Sequence, residues 1–342
     1  IVESELSYLS NYQRVIINSG KISNKGWEIS VSGVPVKVKN FEWKTIFNWS
    51  KNNSMVESLP EGIDKIQIGS GVYNVKSYAE VGKPYGAIYA KTFKRDAEGY
   101  ILCQLDGSPK EGQDYEYLGC VQADWRGGWN NVFRLGNFSF SVMFDFQKGG
   151  KFFSQTSIQS SVDGQSVKSL EGRDADFFSR KILGESDEER YGFMRPQNAN
   201  TPTANGQIYP DWGRPKGVVL PNCRYDEDVE GLAGQQVLGY CTPERYWMHY
   251  TSRDISRFIY DASYVKLREI TVSYDLPKKW LRKTPFQTFR VAAVGRNIAT
   301  LFANTPHGLD PQATSTTGNA QGFERGFNLP SATYGFDIKV SF

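Results

Sequence analysis

The sequence contains no run of about 18 consecutive apolar residues, which excludes a transmembrane helix. It does not exclude a membrane-crossing β-barrel, whose apolar residues alternate with polar ones and so escape any averaging window. Histidine is scarce: His249 and His307 lie far apart and cannot supply a histidine-rich metal centre. A net charge of +3 over 342 residues is too small to indicate a nucleic-acid surface. No G-x-S-x-G elbow, H-E-x-x-H pair or phosphate-binding glycine loop occurs, so no enzyme is expected. The four cysteines fall into two close pairs, Cys103/Cys120 and Cys223/Cys241. An even count in a loop-rich, exported chain predicts disulfides, four unrelated thiols being the alternative. The chain opens on Ile1 inside a pattern, without an initiator methionine, and is expected to be a piece of a longer protein.

What the chain has in quantity is aromatic residues, 14% of the total, in segments of period two. Successive side chains of a strand point to opposite faces. In the last nine residues Tyr334, Phe336, Ile338, Val340 and Phe342 therefore share one face, and Gly335, Asp337, Lys339 and Ser341 the other. Trp27, Ile29 and Val31 alternate in the same way, as do Phe41, Trp43, Phe47 and Trp49. Phe138, Phe140, Val142, Phe144 and Phe146 follow the pattern, and so do Phe289, Val291 and Ala293. One segment slips: Val265 and Leu267 are out of phase with Ile270, Val272 and Tyr274, which predicts a bulge near Arg268 and Glu269.

The connections alternate as well. Short turns are expected near Gly33-Val34-Pro35, Val81-Gly82-Lys83, Leu135-Gly136-Asn137 and Leu276 to Pro285. Long ones are expected over about Asn52 to Ser70, Ala97 to Trp125, Thr156 to Arg257 and Phe302 to Leu329. A soluble sandwich has no reason to put every long loop at one end, whereas an outer-membrane barrel does. The fold class expected is therefore all-β, an antiparallel transmembrane barrel with the chain ending on the short-turn side. The excursion over 156–257 is too long to be passive connection and is expected to fold over the barrel mouth, with a short helix around Ala175 to Leu183.

Several segments resemble a known family. Asn18, Gly20, Asn24, Gly26 and Glu28 match an N-x-G-x-x-x-N-x-G-hydrophobic-E stretch, and Asn40 to Trp49 the strand that follows it. Gly82, Pro84, Gly86 and Tyr89 match G-x-P-x-G-x-x-Y. Gly127-Gly128 with Phe133 to Phe140 match a strand pair, and Tyr260 to Tyr274 followed by Leu276-Pro277 is the most specific match. Gly295-Arg296-Asn297-Ile298, Leu309-Asp310-Pro311 and the final strand complete the order. Together they resemble the C-terminal portion of a SusC/RagA-family TonB-dependent receptor. Ala123 to Arg126 stand where such receptors often carry an Asn-Pro-type turn.

The resemblance implies about nine or ten strands of a barrel of the 22-strand class, the rest of the barrel and its plug lying in an N-terminal part. It implies a bacterial outer-membrane location with a periplasmic C-terminus, and import of a bulky oligosaccharide or oligopeptide. The implied partners are a SusD-like surface lipoprotein, the TonB complex and outer-membrane lipids. Tyr334, Phe336, Ile338, Val340 and Phe342 would carry the barrel-assembly signal.

Candidate contacts for ligand or partner are the loop aromatics Trp125, Trp129, Trp212, Tyr225, Tyr240, Tyr246 and Trp247, whose flat faces can stack on a sugar or pack a peptide side chain. Such rings can equally pack loop onto barrel or sit at headgroup level. Arg290, Arg296, Asp337 and Lys339 are expected to face the lumen, because a basic side chain in lipid costs about 2–4 kcal/mol at the midplane. No cofactor is expected. Asp226, Asp228 and Glu230, followed by Gly231, offer oxygens suited to Ca²⁺ but lack the full loop pattern. The competing readings are a passive porin or adhesin barrel and a secreted β-sandwich lectin.

Overall fold

The computed structural model describes residues 2–5, 14–17, 20–104, 109–170, 218–219, 223–237, 240–241, 247–248, 251–306, 308–313, 321–326 and 331–342. Strands β1 (Val2–Glu5) and β2 (Arg14–Ile17) form an isolated pair. Three long hairpins and a last strand then alternate with three excursions. The first hairpin is β3 (Lys21–Val38) and β4 (Phe41–Ser58). An excursion follows, with β5 (Lys65–Ser70), β6 (Lys76–Glu80), β7 (Ala87–Ala90), β8 (Ile101–Cys103) and β9 (Glu116–Cys120). The second hairpin is β10 (Trp125–Leu135) and β11 (Phe138–Lys148). Its excursion carries β12 (Lys151–Ser154), helix α1 (Gln155–Val162), β13 (Val218–Val219), β14 (Cys223–Tyr225), β15 (Gln236–Val237), β16 (Tyr240–Cys241) and β17 (Ile259–Asp261). The third hairpin joins β18 (Tyr264–Asp275) through α2 (Lys278–Leu281) to β19 (Thr288–Ala303). The last excursion holds β20 (Phe323–Glu324) and leads to β21 (Thr333–Ser341).

Seven strands form one open antiparallel sheet in the order β21-β19-β18-β11-β10-β4-β3. The register carries the period-two pattern across it. One row reads Val36, Trp43, Phe133, Phe140, Val272, Ala293, Phe336; the next, one residue along, reads Lys37, Glu42, Arg134, Ser139, Ser273, Ala292, Asp337. Val272 is 48% exposed and its neighbour Ser273 8%, so the apolar face is the open one. Aromatic rings knit that face: Trp43 to Phe133 at 5.9 Å, Phe133 to Phe140 at 6.2 Å and Phe138 to Tyr274 at 4.6 Å. Its polar atoms are matched locally. Trp43 Nε1 donates to Asn131 Oδ1 (3.1 Å) and Trp129 Nε1 to Thr45 Oγ1 (2.9 Å), as a face without water requires.

Three expectations are corrected. Gly33-Val34-Pro35 is not a turn: β3 runs through it with a bulge between Gly33 and Val36, and the turn is at Lys39-Asn40. Val81-Gly82-Lys83 is a turn, but within an excursion; Val56 N donates to Lys83 O and Gly82 N to Val56 O, fastening it to β4. The two long loops expected on either side of it are thus one excursion. That is why the wall has seven strands among the described residues, against the nine or ten implied. The expected bulge at Arg268 is present: Met143 pairs with Glu269 and Phe144 with Leu267. The helix expected over 175–183 lies outside the described residues.

All three excursions leave from the same end of the sheet, where Ser58 faces Lys21, Trp125 faces Lys148 and Tyr264 faces Ala303. There they pack on one another as a rim. Val75 and Ile88 from the first, Phe153, Ile158, Ile255 and Phe258 from the second and Phe323 from the third make one buried cluster. Phe93, Ile101 and Cys103 join Cys223, Tyr225, Val229 and Trp247 in another. A carboxylate fastens the third excursion to the second. Glu324, buried, accepts from Ser154 Oγ (2.6 Å), Thr156 Oγ1 (2.7 Å) and Thr156 N (3.1 Å) at the start of α1.

Candidate functional site

Where the polar face of the wall meets the rim there is a cleft of about 400 Å³ lined by Arg126, Asp145, Gln147, Lys151, Tyr264 and Gln312, among others. Register explains the convergence. Arg126 of β10 pairs with Gln147 of β11, which pairs with Tyr264 of β18, so all three project from the same face. The bulge adds to this. By inserting one residue it places both Arg268 and Glu269 on the polar side, where strict alternation would send one of them to the apolar side.

The charges of the cleft are tightly partnered. Lys266, 1% exposed, donates to Asp310 Oδ1 (2.6 Å) and Gln312 Oε1 (3.0 Å). Arg268 is paired with Asp145 and also reaches Gln312 Oε1 (2.6 Å). The segment around Asp310 to Gln312 is thereby held down over the polar face. At the cleft edge Lys151 pairs with Asp261 (3.4 Å). Burial alone would raise the Asp261 carboxyl, but hydrogen bonds from the Ser263 side chain and backbone (N at 2.9 Å) and from Asn304, with the Lys151 charge, hold it at about 2. It is therefore ionised across the physiological range.

The residues singled out from sequence fall elsewhere. Trp125 and Trp129 lie on the apolar face of β10, Trp129 stacked on Phe144 at 6.0 Å, so they belong to the wall rather than to a ligand surface. Tyr225 (1% exposed) and Trp247 (4%) are interior residues of the rim. Trp212, Tyr246 and the side chain of Tyr240 lie outside the described residues. Arg290, Arg296, Asp337 and Lys339 share the polar face; Arg290 makes a two-pronged contact with Asp275 (2.6 and 2.8 Å) and Arg296 one with Glu269 (3.0 Å).

The expected disulfides are not formed. Cys120 and Cys223 are free thiols, and Cys103 directs its Sγ to the Ile101 carbonyl. Cys103 and Cys120 stand on different rim sheets, which places them apart despite their closeness in sequence. Asp226 and Asp228 are ion-paired with Lys110, at 2.7 Å and 2.5 Å.

A second surface missed in the sequence is one face of the rim sheet β5-β6-β7-β9. Tyr78, Tyr89 and Tyr117 cluster there. Lys65 lies 5.4 Å from the Tyr89 ring and Lys83 4.6 Å from the Tyr117 ring, and the Tyr89 hydroxyl is bonded to Glu80 and Lys83. Tyr78 and Tyr89 came together through strand pairing, not through any local motif. Asp145 and Gln147 lie on the polar side of an alternating segment and Tyr264 inside a segment matched by resemblance, but no local pattern brings them together with Lys151 and Gln312; the phase slip at Arg268 is the one signal of the cleft in the sequence.

No family model matches the chain. TonB-dependent receptor P3 of Formosa agariphila is 24% identical over 93% of the chain, which spans 28% of that protein. TonB-dependent receptor P39 of the same organism is 21% identical over 42% of the chain. Among solved structures, the RagAB peptide transporter superposes with a TM-score of 0.56 at 15% identity over 99% of the chain. The RagAB peptide importer in its open-open state superposes with a TM-score of 0.56 at 16% identity over all of it. In each case the chain spans 31% of the solved one. The fold is that of part of an antiparallel transmembrane β-barrel. By sequence the chain is similar to a stretch of TonB-dependent receptors, and by fold to a part of the RagAB transporter.

Proposed function

We propose that this chain forms barrel wall and extracellular rim of an outer-membrane importer for a bulky nutrient, an oligosaccharide or an oligopeptide. The observation that carries the reading is the seven-stranded sheet with one apolar and one polar face and every long excursion at one end. In this reading the apolar face meets lipid, the polar face lines the lumen, the rim lies outside the cell and Phe342 lies on the periplasmic side. The rim, packed as one body from three excursions, would present a firm seat to a SusD-like surface lipoprotein. The whole receptor would contribute a plug and couple to TonB. The chain's own chemistry would be binding and gating rather than bond making.

The test uses the whole receptor in its host. Uptake of labelled oligosaccharide and oligopeptide mixtures is compared between wild type, a receptor deletion and a strain lacking TonB. Loss of the same species in both mutants is the expected result. Uptake that survives without TonB would indicate a passive barrel, and a receptor extracted without detergent would indicate a soluble sandwich.

A further inference from the structure

Arg126 stands apart from the other cations of the cleft. Lys266, Arg268 and Lys151 each face a carboxylate: Asp310, Asp145 and Asp261. Arg126 donates through Nε to Gln147 Oε1 (3.0 Å), and among the described residues no carboxylate pairs with it. The Gln147 carboxamide is itself fixed, its Nε2 donating to the carbonyls of Gly149 (3.3 Å) and Ala262 (3.2 Å). The guanidinium is therefore held through its Nε, and Arg126 is exposed to the space around it. That space is shared by the 400 Å³ cleft and an adjoining hollow of about 270 Å³ lined by Ser50, Asn52 and Gln122, with Arg126 common to both.

A guanidinium positioned by a neutral partner and left without a counter-ion in a half-enclosed polar cleft is matched best by a planar anion, which it can grip through two parallel hydrogen bonds. The surrounding carboxamides and hydroxyls add neutral donors and acceptors, and the one carboxylate that lines the cleft among the described residues, Asp145, is taken up by Arg268. We infer that Arg126 is the subsite for a carboxylate on the imported nutrient, an inference that rests on the importer reading above. Such a carboxylate could be a uronic acid of an oligosaccharide or an acidic group of an oligopeptide. In either case the carboxylate would sit across Arg126, oriented by Gln147, as the nutrient passes from rim to lumen.

The experiment takes the whole receptor in detergent and measures binding by calorimetry in two paired series. One pair is an oligogalacturonate and its methyl ester; the other is a glutamate-containing tetrapeptide amide and its glutamine counterpart. In one series the acidic member should bind at least about 10-fold tighter than the neutral one, the size of a charge-assisted hydrogen-bond pair, and which series does so identifies the source. R126Q should erase the gap by weakening the acidic member far more than the neutral one, whereas R126K should narrow it. The absence of a gap in both series, a gap that persists in R126Q, or an equal loss for acidic and neutral members would each overturn the assignment. If R126Q does not assemble, the wild-type gap and its narrowing in R126K decide the matter. TonB-dependent uptake of neutral species alone would sink the subsite while leaving the importer reading intact.

Discussion

Asp226 is 4% exposed and lies between two lysines, Lys94 at 2.8 Å and Lys110 at 2.7 Å. Burial would raise its carboxyl, but the hydrogen bonds from Lys110 and Lys94 prevail and hold it at about 2. A carboxyl depressed on folding contributes stability that is complete above its unfolded value near 4 and disappears as pH falls through about 2. D226N should therefore weaken the rim by about 2 kcal/mol at pH 7. Hydrogen exchange over 93–103 and 223–235 would show the loss, and the difference from wild type should close by pH 2. A gap that is independent of pH would refute the ion-pair account. Sequence could not anticipate this role, because Lys110 and Asp226 are distant in the chain and three alternate carboxylates read as readily as a cation site. The aromatics show the same limit. Tyr225 and Trp247 looked like loop rings free to bind, and only their packing against Phe93 and Ile101 shows them to be core. Gly149, by contrast, is restricted by its own backbone: φ is +73° and a Cβ there would overlap the Asp124 carboxylate. G149A should lower receptor assembly, read as folded barrel on unboiled gels.

The bulge in β18 shows what a strand can and cannot reveal on its own. Its phase slip was legible, because Leu267 and Ile270 cannot both face lipid in a regular strand. Its purpose was not, since Asp145, Asp310 and Gln312 come from other elements. The bulge gathers Lys266, Arg268 and Glu269 on one face, and Lys266 then anchors the segment that carries Asp310. Removing one member of a buried pair leaves an uncompensated charge and costs about 3–5 kcal/mol, while replacing both costs less. K266M and D310L should each destabilise the receptor in this range, and the double variant by less than their sum, measured as a double-mutant cycle in urea. Simple additivity would mean that the pair is solvated and holds nothing down. Gly33-Val34-Pro35 teaches the converse lesson. Glycine and proline mark turns and bulges alike, and only the pairing of Val36 with Trp43 across the bulge tells which one this is.

The faces of the sheet were more legible than any of its sites, since a period of two sets which side chains share a face. The rim was not, because Ile88, Ile158 and Phe323 meet only after three excursions fold back on one another. The two faces make a direct comparison possible. Val272 and Thr271 are neighbours on β18 that face opposite ways. V272R should cost about 2–4 kcal/mol if it lies near the membrane midplane, whereas T271R should be tolerated because it adds a charge to the polar side. Levels of assembled whole receptor in the outer membrane would read the difference. The same sheet is open at β3 and β21, and the chain spans less than a third of the relatives it resembles. An exposed apolar face with two edges unpaired among the described residues has backbone donors and acceptors that lipid cannot satisfy and other chains can. Produced alone in detergent, the 342 residues should therefore give mixed oligomers without the heat-dependent gel shift of a closed barrel, and the whole receptor should show that shift. A compact, heat-shifted monomer from this chain alone would mean that β3 and β21 can pair with each other, and that the seven strands close a wall of their own.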